Sequence, residues 1–276
     1  MKVFIIPNFQ KQKTAAVFKE TVAILGELGA ETIVTEQNAG GNFGTVMSEE
    51  EAFAVCDAVI AIGGDGSIIH AAKKASGYGK ALLGINCGRV GYLSGLESGS
   101  LGKLKAFVNG EYSVENRNMM CAEFVSDGKQ YKKEFLNDAV VSKGTLSRII
   151  DVGAEFSDSS VHYRADGVIV STPTGSTAYS MAAGGPIVAP ELDVMIITPI
   201  SAHSFQNRSI VLGAGEKIEL VNESEPDNEV YISIDGEESY RLNAGARVAV
   251  KKAERTVKLI RIENKPFFKT LANKII

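Results

Sequence analysis

The sequence predicts an α/β domain followed by a mainly β domain, and three observations carry that expectation. Strand and helix signals alternate through about residue 115, as in a parallel sheet covered by helices. A short apolar run breaks at Gly63-Gly64-Asp65-Gly66 directly into a helical pattern. From about Asn116 short runs with period-two alternation, such as Val230, Ile232 and Ile234, take over, separated by turns. The expected division is residues 1–115 for the α/β domain, 116–256 for the β-rich domain, and 257–276 for a C-terminal segment returning to the first. A chain of 276 residues, 45% of them hydrophobic, can fill two such cores.

Residues 3–6 give the first expected strand, 14–28 a helix and 32–35 a second strand. Residues 58–75, AVIAIGGDGSIIHAAKKA, form the central unit. Val59, Ile60 and Ile62 make too short a run for a helix, while Ile68, Ile69, Ala72 and Ala75 recur at helical spacing. Glycine lets another molecule approach the backbone, and a helix start presents N–H groups and a positive dipole end, so this turn can hold phosphate. Asp65 is the odd residue there, because a carboxylate repels an anion. Helix capping is one explanation; Ser67, directly before the apolar-periodic residues, is the better-placed cap and leaves Asp65 for chemistry. Residues 81–86 read as another buried strand ending in NCGRVGYL, where Gly88 and Gly91 punctuate a second turn. Ligands of open α/β sheets sit at carboxyl ends of strands, so both turns are expected on one crevice.

In the second domain, Asn137 and Asp138 precede the apolar pair Val140 and Val141 and could bracket two ribose hydroxyls; an Asx turn accounts for them as well. Residues 164–190, RADGVIVSTPTGSTAYSMAAGGPIVAP, run from a buried strand into hydroxyl- and glycine-rich residues suited to the polar edges of a nucleotide, or to an ordinary turn before a helix. Tyr179 could stack on a base or pack in the core. NESEPDN, residues 222–228, reads as a solvated hairpin loop, and the tail with Phe267, Phe268, Leu271 and Ile275 as amphipathic. Neither GxxxxGK[ST] nor GxGxxG occurs, so any phosphate-handling site must use GGDG.

Composition excludes several classes. A net charge of -4 disfavours general nucleic-acid or anionic-membrane binding. The start MKVFIIPNF is too short for a signal peptide or a membrane span, which points to a cytoplasmic protein. Cys56, Cys87 and Cys121 lack CxxC spacing and read as buried free thiols, and three histidines without HExxH give no dedicated metal site.

The succession GGDGSIIHAA, GINCGRVGYL, LNDAVVSKGTLSR, DGVIVSTPTGSTAYSMAAGGP and TPISAHS resembles the NAD kinases of bacterial type, in order and spacing, over most of the chain. GGDG alone is similar to phosphofructokinases and to diacylglycerol and sphingosine kinases; the TPTGSTAYSMAAGGP segment is far more specific. The resemblance implies phosphoryl transfer from ATP to the 2′-hydroxyl of the adenosine ribose of NAD. By it, Asp65 matches the general base, and Gly63, Gly64 and Gly66 the loop that meets the phosphates. Asn137 and Asp138 match a pair contacting the ribose and adenine region, where many members carry Asn-Glu. Asp166 matches an acid on the nicotinamide side, and Thr177, Ala178, Tyr179, Ser180, Met181 and Ala182 match the adenine-binding turn. His70, Arg148 and Arg164 fall where the family places further polar contacts. Ser201 and His203 match a segment near the nucleotide of a neighbouring subunit, which implies a homodimer or homotetramer. Lys73, Lys74 and Arg89 are candidates for phosphate charge by position, and Mg²⁺ is expected to arrive with ATP. A lipid or sugar kinase sharing GGDG, and a non-catalytic dinucleotide-binding regulator, are the competing readings.

Overall fold

The structure is a computed structural model and describes residues 1–38, 43–88, 91–145, 148–203, 208–263 and 266–275. The chain divides into two units, residues Met1–Asn116 with Val257–Ile276, and residues Arg117–Thr256.

The first unit is built on a parallel sheet. Its strands lie in the order Thr45–Val46, Glu31–Val34, Lys2–Pro7, Ala58–Gly63, Ala81–Asn86, and then the end of the long strand Arg247–Arg261. Ala58–Gly63 is buried at all its positions, the reason its sequence is a continuous apolar run without alternation. The helix Thr14–Glu27 buries Val17, Phe18, Thr21 and Leu25, one face at helical spacing. Ser48 and Glu51 form a capping box that starts the helix Glu49–Val55. The helix Asp65–Gly77 lays Ile68, Ile69, Ala72 and Ala75 into the core.

That last helix corrects one expectation. It begins at Asp65, with Gly64 as N-cap and no side-chain cap, so Ser67 lies inside the first turn. Apolar periodicity marks only the buried face; the first three helical residues bury nothing, so the pattern in the sequence starts three residues after the helix does.

The second unit is antiparallel. Six strands run in the order Ile210–Gly213, Val194–Ile200, Gly167–Ser171, Asp138–Lys143, Val230–Ile234 and Glu238–Leu242. A second set runs Ser160–Ala165, Ile150–Glu155, Ile218–Asn222 and then the first part of Arg247–Arg261. One apolar core takes Val141, Val168, Val170 and Ile232 from the first set and Val152, Leu220, Val248 and Val250 from the second. Residues 222–228 are not a hairpin loop: Ile218–Asn222 pairs in one sheet and Val230–Ile234 in the other. Alternation shows that a run is a half-buried strand but not which strand it pairs with. Asn222 and Ser224, expected to be solvated, are buried; the Asn222 amide donates to the carbonyls of Leu242 and Asn243. Among the described residues no helix is long and apolar enough to cross a membrane.

Candidate active site

The first unit places the GGDG turn at the carboxyl end of its central strand. Ala58–Gly63 stops, Gly64 turns in extended conformation, and Asp65 opens the helix, where the dipole favours its negative charge. Asn8, at the end of the neighbouring strand, donates its side-chain amide to Ser67 Oγ at 2.7 Å, and its backbone N–H to the Ile62 carbonyl at 2.9 Å. The turn after Ala81–Asn86 meets the same place: the Asp65 carboxylate accepts the backbone N–H of Tyr92 at 3.0 Å and of Leu93 at 3.3 Å. The two glycine turns expected on one crevice are therefore joined by hydrogen bonds. Neither the Tyr92–Leu93 amides nor Asn8 was legible as a partner of this turn, because backbone donors and distant amides leave no residue-type signal.

The second unit gathers its candidates around the start of Asp138–Lys143. Asp235, held at positive φ in the turn between Val230–Ile234 and Glu238–Leu242, accepts the backbone N–H groups of Leu136, Asn137 and Asp138 at 3.0, 2.8 and 3.1 Å. Thr172 ties on the next segment, donating from Oγ1 to the Leu136 carbonyl at 2.5 Å and from its N–H to the Asn137 carbonyl at 2.9 Å. Gly175 packs so closely on that carbonyl that a Cβ would collide with it. Asn137 is thus brought against the start of the TPTGSTAYS turn. Asp138 is buried, and burial with the Asp235 carboxylate beside it pushes its carboxyl up to about 7.

Beyond Gly175 the chain makes a short 3₁₀ turn, Gly175–Thr177, and one helical turn, Tyr179–Ala182. Ser176 is buried, its hydroxyl donating to the Pro173 carbonyl and accepting from the Val188 N–H. Ser180 is buried with its hydroxyl 2.9 Å from Thr198 Oγ1, so it faces inward. Tyr179 is 47% exposed, which removes the core reading of that ring. Thr177, Ala178 and Met181 are half-buried and Ala182 exposed.

Asp166 pairs with Lys143 Nζ at 2.6 Å. Arg164 is exposed on Ser160–Ala165, and its carbonyl accepts the His203 N–H at 2.8 Å; Ser201 and His203 are exposed. Arg148 and His70 are exposed, and Lys73 is half-buried. Lys74 is engaged with Glu49 at 2.7 Å. Arg89 lies outside the described residues, as do the side chain of Ile275 and residues 90, 146–147 and 204 of the quoted segments. All three cysteines are buried, and burial pushes their thiols up, away from nucleophilic chemistry. Among the described residues no group of three or more His, Cys, Asp and Glu could hold a metal ion.

A carboxylate at a glycine turn and helix start in the first unit, and a hydroxyl-rich turn in the second, are features that phosphoryl transfer to a polar acceptor can use. The family model of the ATP-NAD kinase N-terminal domain matches residues 3–112, and that of the C-terminal domain matches residues 136–262. An NAD kinase from Caldanaerobacter subterraneus subsp. tengcongensis is 37% identical over 279 residues, covering 99% of this chain and 98% of that protein. The fold is shared with an Archaeoglobus fulgidus NAD kinase in complex with ATP, at TM-score 0.75 and 25% identity, over 100% of this chain and 98% of that one. It is also shared with yeast NADH kinase complexed with NADH, at TM-score 0.87 and 19% identity, over 100% of this chain and 87% of that one. The chain belongs to the NAD kinase family and is a kinase.

Proposed function

We propose that this chain transfers the γ-phosphoryl group of ATP to the 2′-hydroxyl of the adenosine ribose of NAD, giving NADP and ADP, with Asp65 accepting the hydroxyl proton. The observation that carries the reading is Asp65 itself, a carboxylate at a glycine turn, on a strand end and a helix start, fixed in orientation by two backbone N–H groups. The family match and the ATP held by the Archaeoglobus fulgidus relative support the substrates.

A carboxylate, whose reference pKa is about 3.9, is too weak a base to remove a ribose proton outright. It accepts the proton as the new P–O bond forms, late in a loose transition state, and a positioned general base contributes about 10²–10⁴-fold. The remaining rate comes from alignment and from neutralising phosphate charge. The divalent cation, Mg²⁺, enters with ATP as part of that substrate. Gly63, Gly64 and Gly66 let phosphate approach the backbone. Asn137, Asp138, Arg148, Arg164, Asp166 and His70 are assigned to polar contacts with the dinucleotide, and Thr177, Ala178, Tyr179, Ser180, Met181 and Ala182 to the adenine; Ser180, turned inward, serves through its backbone. Residues 1–115 are assigned to nucleotide binding, 116–256 to NAD binding, and 257–276 to a returning segment, in a cytoplasmic homodimer or homotetramer.

The purified chain with NAD, ATP and Mg²⁺ is expected to yield NADP, detected by an NADP-specific dehydrogenase. Bound NAD with no NADP would reject the reaction in favour of a regulator, unless polyphosphate in place of ATP restores product.

A further inference from the structure

Arg261 ends the strand Arg247–Arg261 and is only 16% exposed. Its guanidinium donates from Nε to Glu115 Oε2 at 2.7 Å, from Nη1 to the carbonyls of Leu93 at 3.1 Å and Ser94 at 2.7 Å, and from Nη2 to the Tyr92 carbonyl at 3.3 Å. The loop that accepts these bonds is the one whose Tyr92 and Leu93 N–H groups hold Asp65. A single peptide unit connects the two charges: its carbonyl, on Tyr92, faces Arg261, and its N–H, on Leu93, faces Asp65 Oδ1. Hydrogen bonds in such a chain polarise one another, so the cation strengthens the donor that grips the carboxylate. Gly91 leaves the space for that grip, since a Cβ there would collide with Asp65 Oδ1 and reach within 3.3 Å of Ser94 Oγ.

We infer that Arg261 is a positioning residue for Asp65, acting through the 92–94 loop; the inference rests on the reading of Asp65 as proton acceptor. Only a planar fork with five donors reaches three carbonyls and a carboxylate together, which an ammonium group cannot do. With the loop pinned, the two carboxylate oxygens keep the Tyr92 and Leu93 N–H donors in fixed places. With the loop released, Asp65 gains rotamers, and misplacement of a reacting group by ~1 Å costs about 10²-fold in rate. Glu115, 27% exposed, holds the guanidinium from the far side.

The test is steady-state kinetics of Arg261→Gln and Arg261→Lys, each in the parent and in the Asp65→Asn background, with amide hydrogen exchange at Tyr92 and Leu93. Arg261→Gln is expected to lower kcat by about 10²-fold, with KM for NAD changed less than about twofold; Arg261→Lys should fall between it and the parent. In the Asp65→Asn background the same substitutions are expected to cost almost nothing, because the group they position is already gone. Lys258→Ala, on the same strand but exposed and donating to the Gly79 carbonyl, should keep the parental kcat. A folded Arg261→Gln with parental kcat, or an equal loss in both backgrounds, overturns the inference. If the parent makes no NADP, the activity reading fails and exchange decides alone: faster exchange at Tyr92 and Leu93 in Arg261→Gln supports the positioning, and unchanged exchange overturns it.

Discussion

Asp138 changes charge near neutral pH, and that has a definite sign for stability. Its folded value, about 7, lies above the usual 3.8 of a carboxylate, so between those values the folded chain holds the extra proton and stability falls as pH rises. The penalty is absent below about pH 3.8 and complete above about pH 7. Asp138→Asn keeps the size and removes the ionisation. It is expected to stabilise the fold at about pH 8, by at most about 4 kcal/mol at ~1.36 kcal/mol per pK unit, and to give no gain at about pH 3. Urea unfolding at the two pH values checks this; a variant no more stable than the parent at the higher pH contradicts it. Tyr179→Ala is expected to weaken NAD binding by about 1 kcal/mol if the exposed ring stacks on the base, and unchanged affinity by calorimetry would remove that role. The place of a single residue was legible where residue type and turn coincide, as for Asp65 at the glycine turn. Arg261 was missed although it left a signal: Val257 and Leu259 point inward at period two, and the next inward position carries a charge.

At the scale of elements, the start of Asp138–Lys143 depends on a hairpin turn about a hundred residues further along the chain. Asp235 adopts φ 49° and Gly236 φ 67°, the left-handed pair at the centre of a turn closed by the Glu237 N–H on the Ile234 carbonyl at 3.0 Å, and the Asp-Gly dipeptide supplies them. The carboxylate then serves the three N–H groups of residues 136–138. Asp235→Ala would leave those donors without it and force alanine into the left-handed region; a loss of about 3 kcal/mol or more is expected. Asp235→Asn, which tolerates that backbone and keeps one acceptor oxygen, should cost about 1 kcal/mol. Chemical unfolding of the pair checks the order; equal losses would contradict it, because asparagine keeps both the left-handed backbone and one acceptor oxygen. The strand, turn and helix around Gly63 were readable because one short window holds both periodicities. Asp235 was not, since its partners are distant in sequence, and residues 222–228 misled because alternation is silent about which strands pair.

For the whole molecule, the α/β plus β class followed from where helical spacing gives way to period two, and the parallel sheet of Met1–Asn116 and the antiparallel strands of Arg117–Thr256 show that class. The family was legible because its motifs run in order along almost the full chain, as the matches over residues 3–112 and 136–262 show. Residue roles were less accessible, because a role depends on orientation: Ser180 turns inward, Tyr179 outward, and Lys74 toward Glu49, and none of this is written in the residue type. Asp65 as the proton acceptor is the central proposal for this molecule. The most direct measurement compares Asp65→Asn with the parent, turnover of NAD to NADP beside NAD affinity measured by calorimetry. Turnover reduced by about 10²–10⁴-fold with affinity nearly unchanged is the predicted result. Parental turnover in the variant would contradict it and leave Asp65 as the first residue of a helix and nothing more.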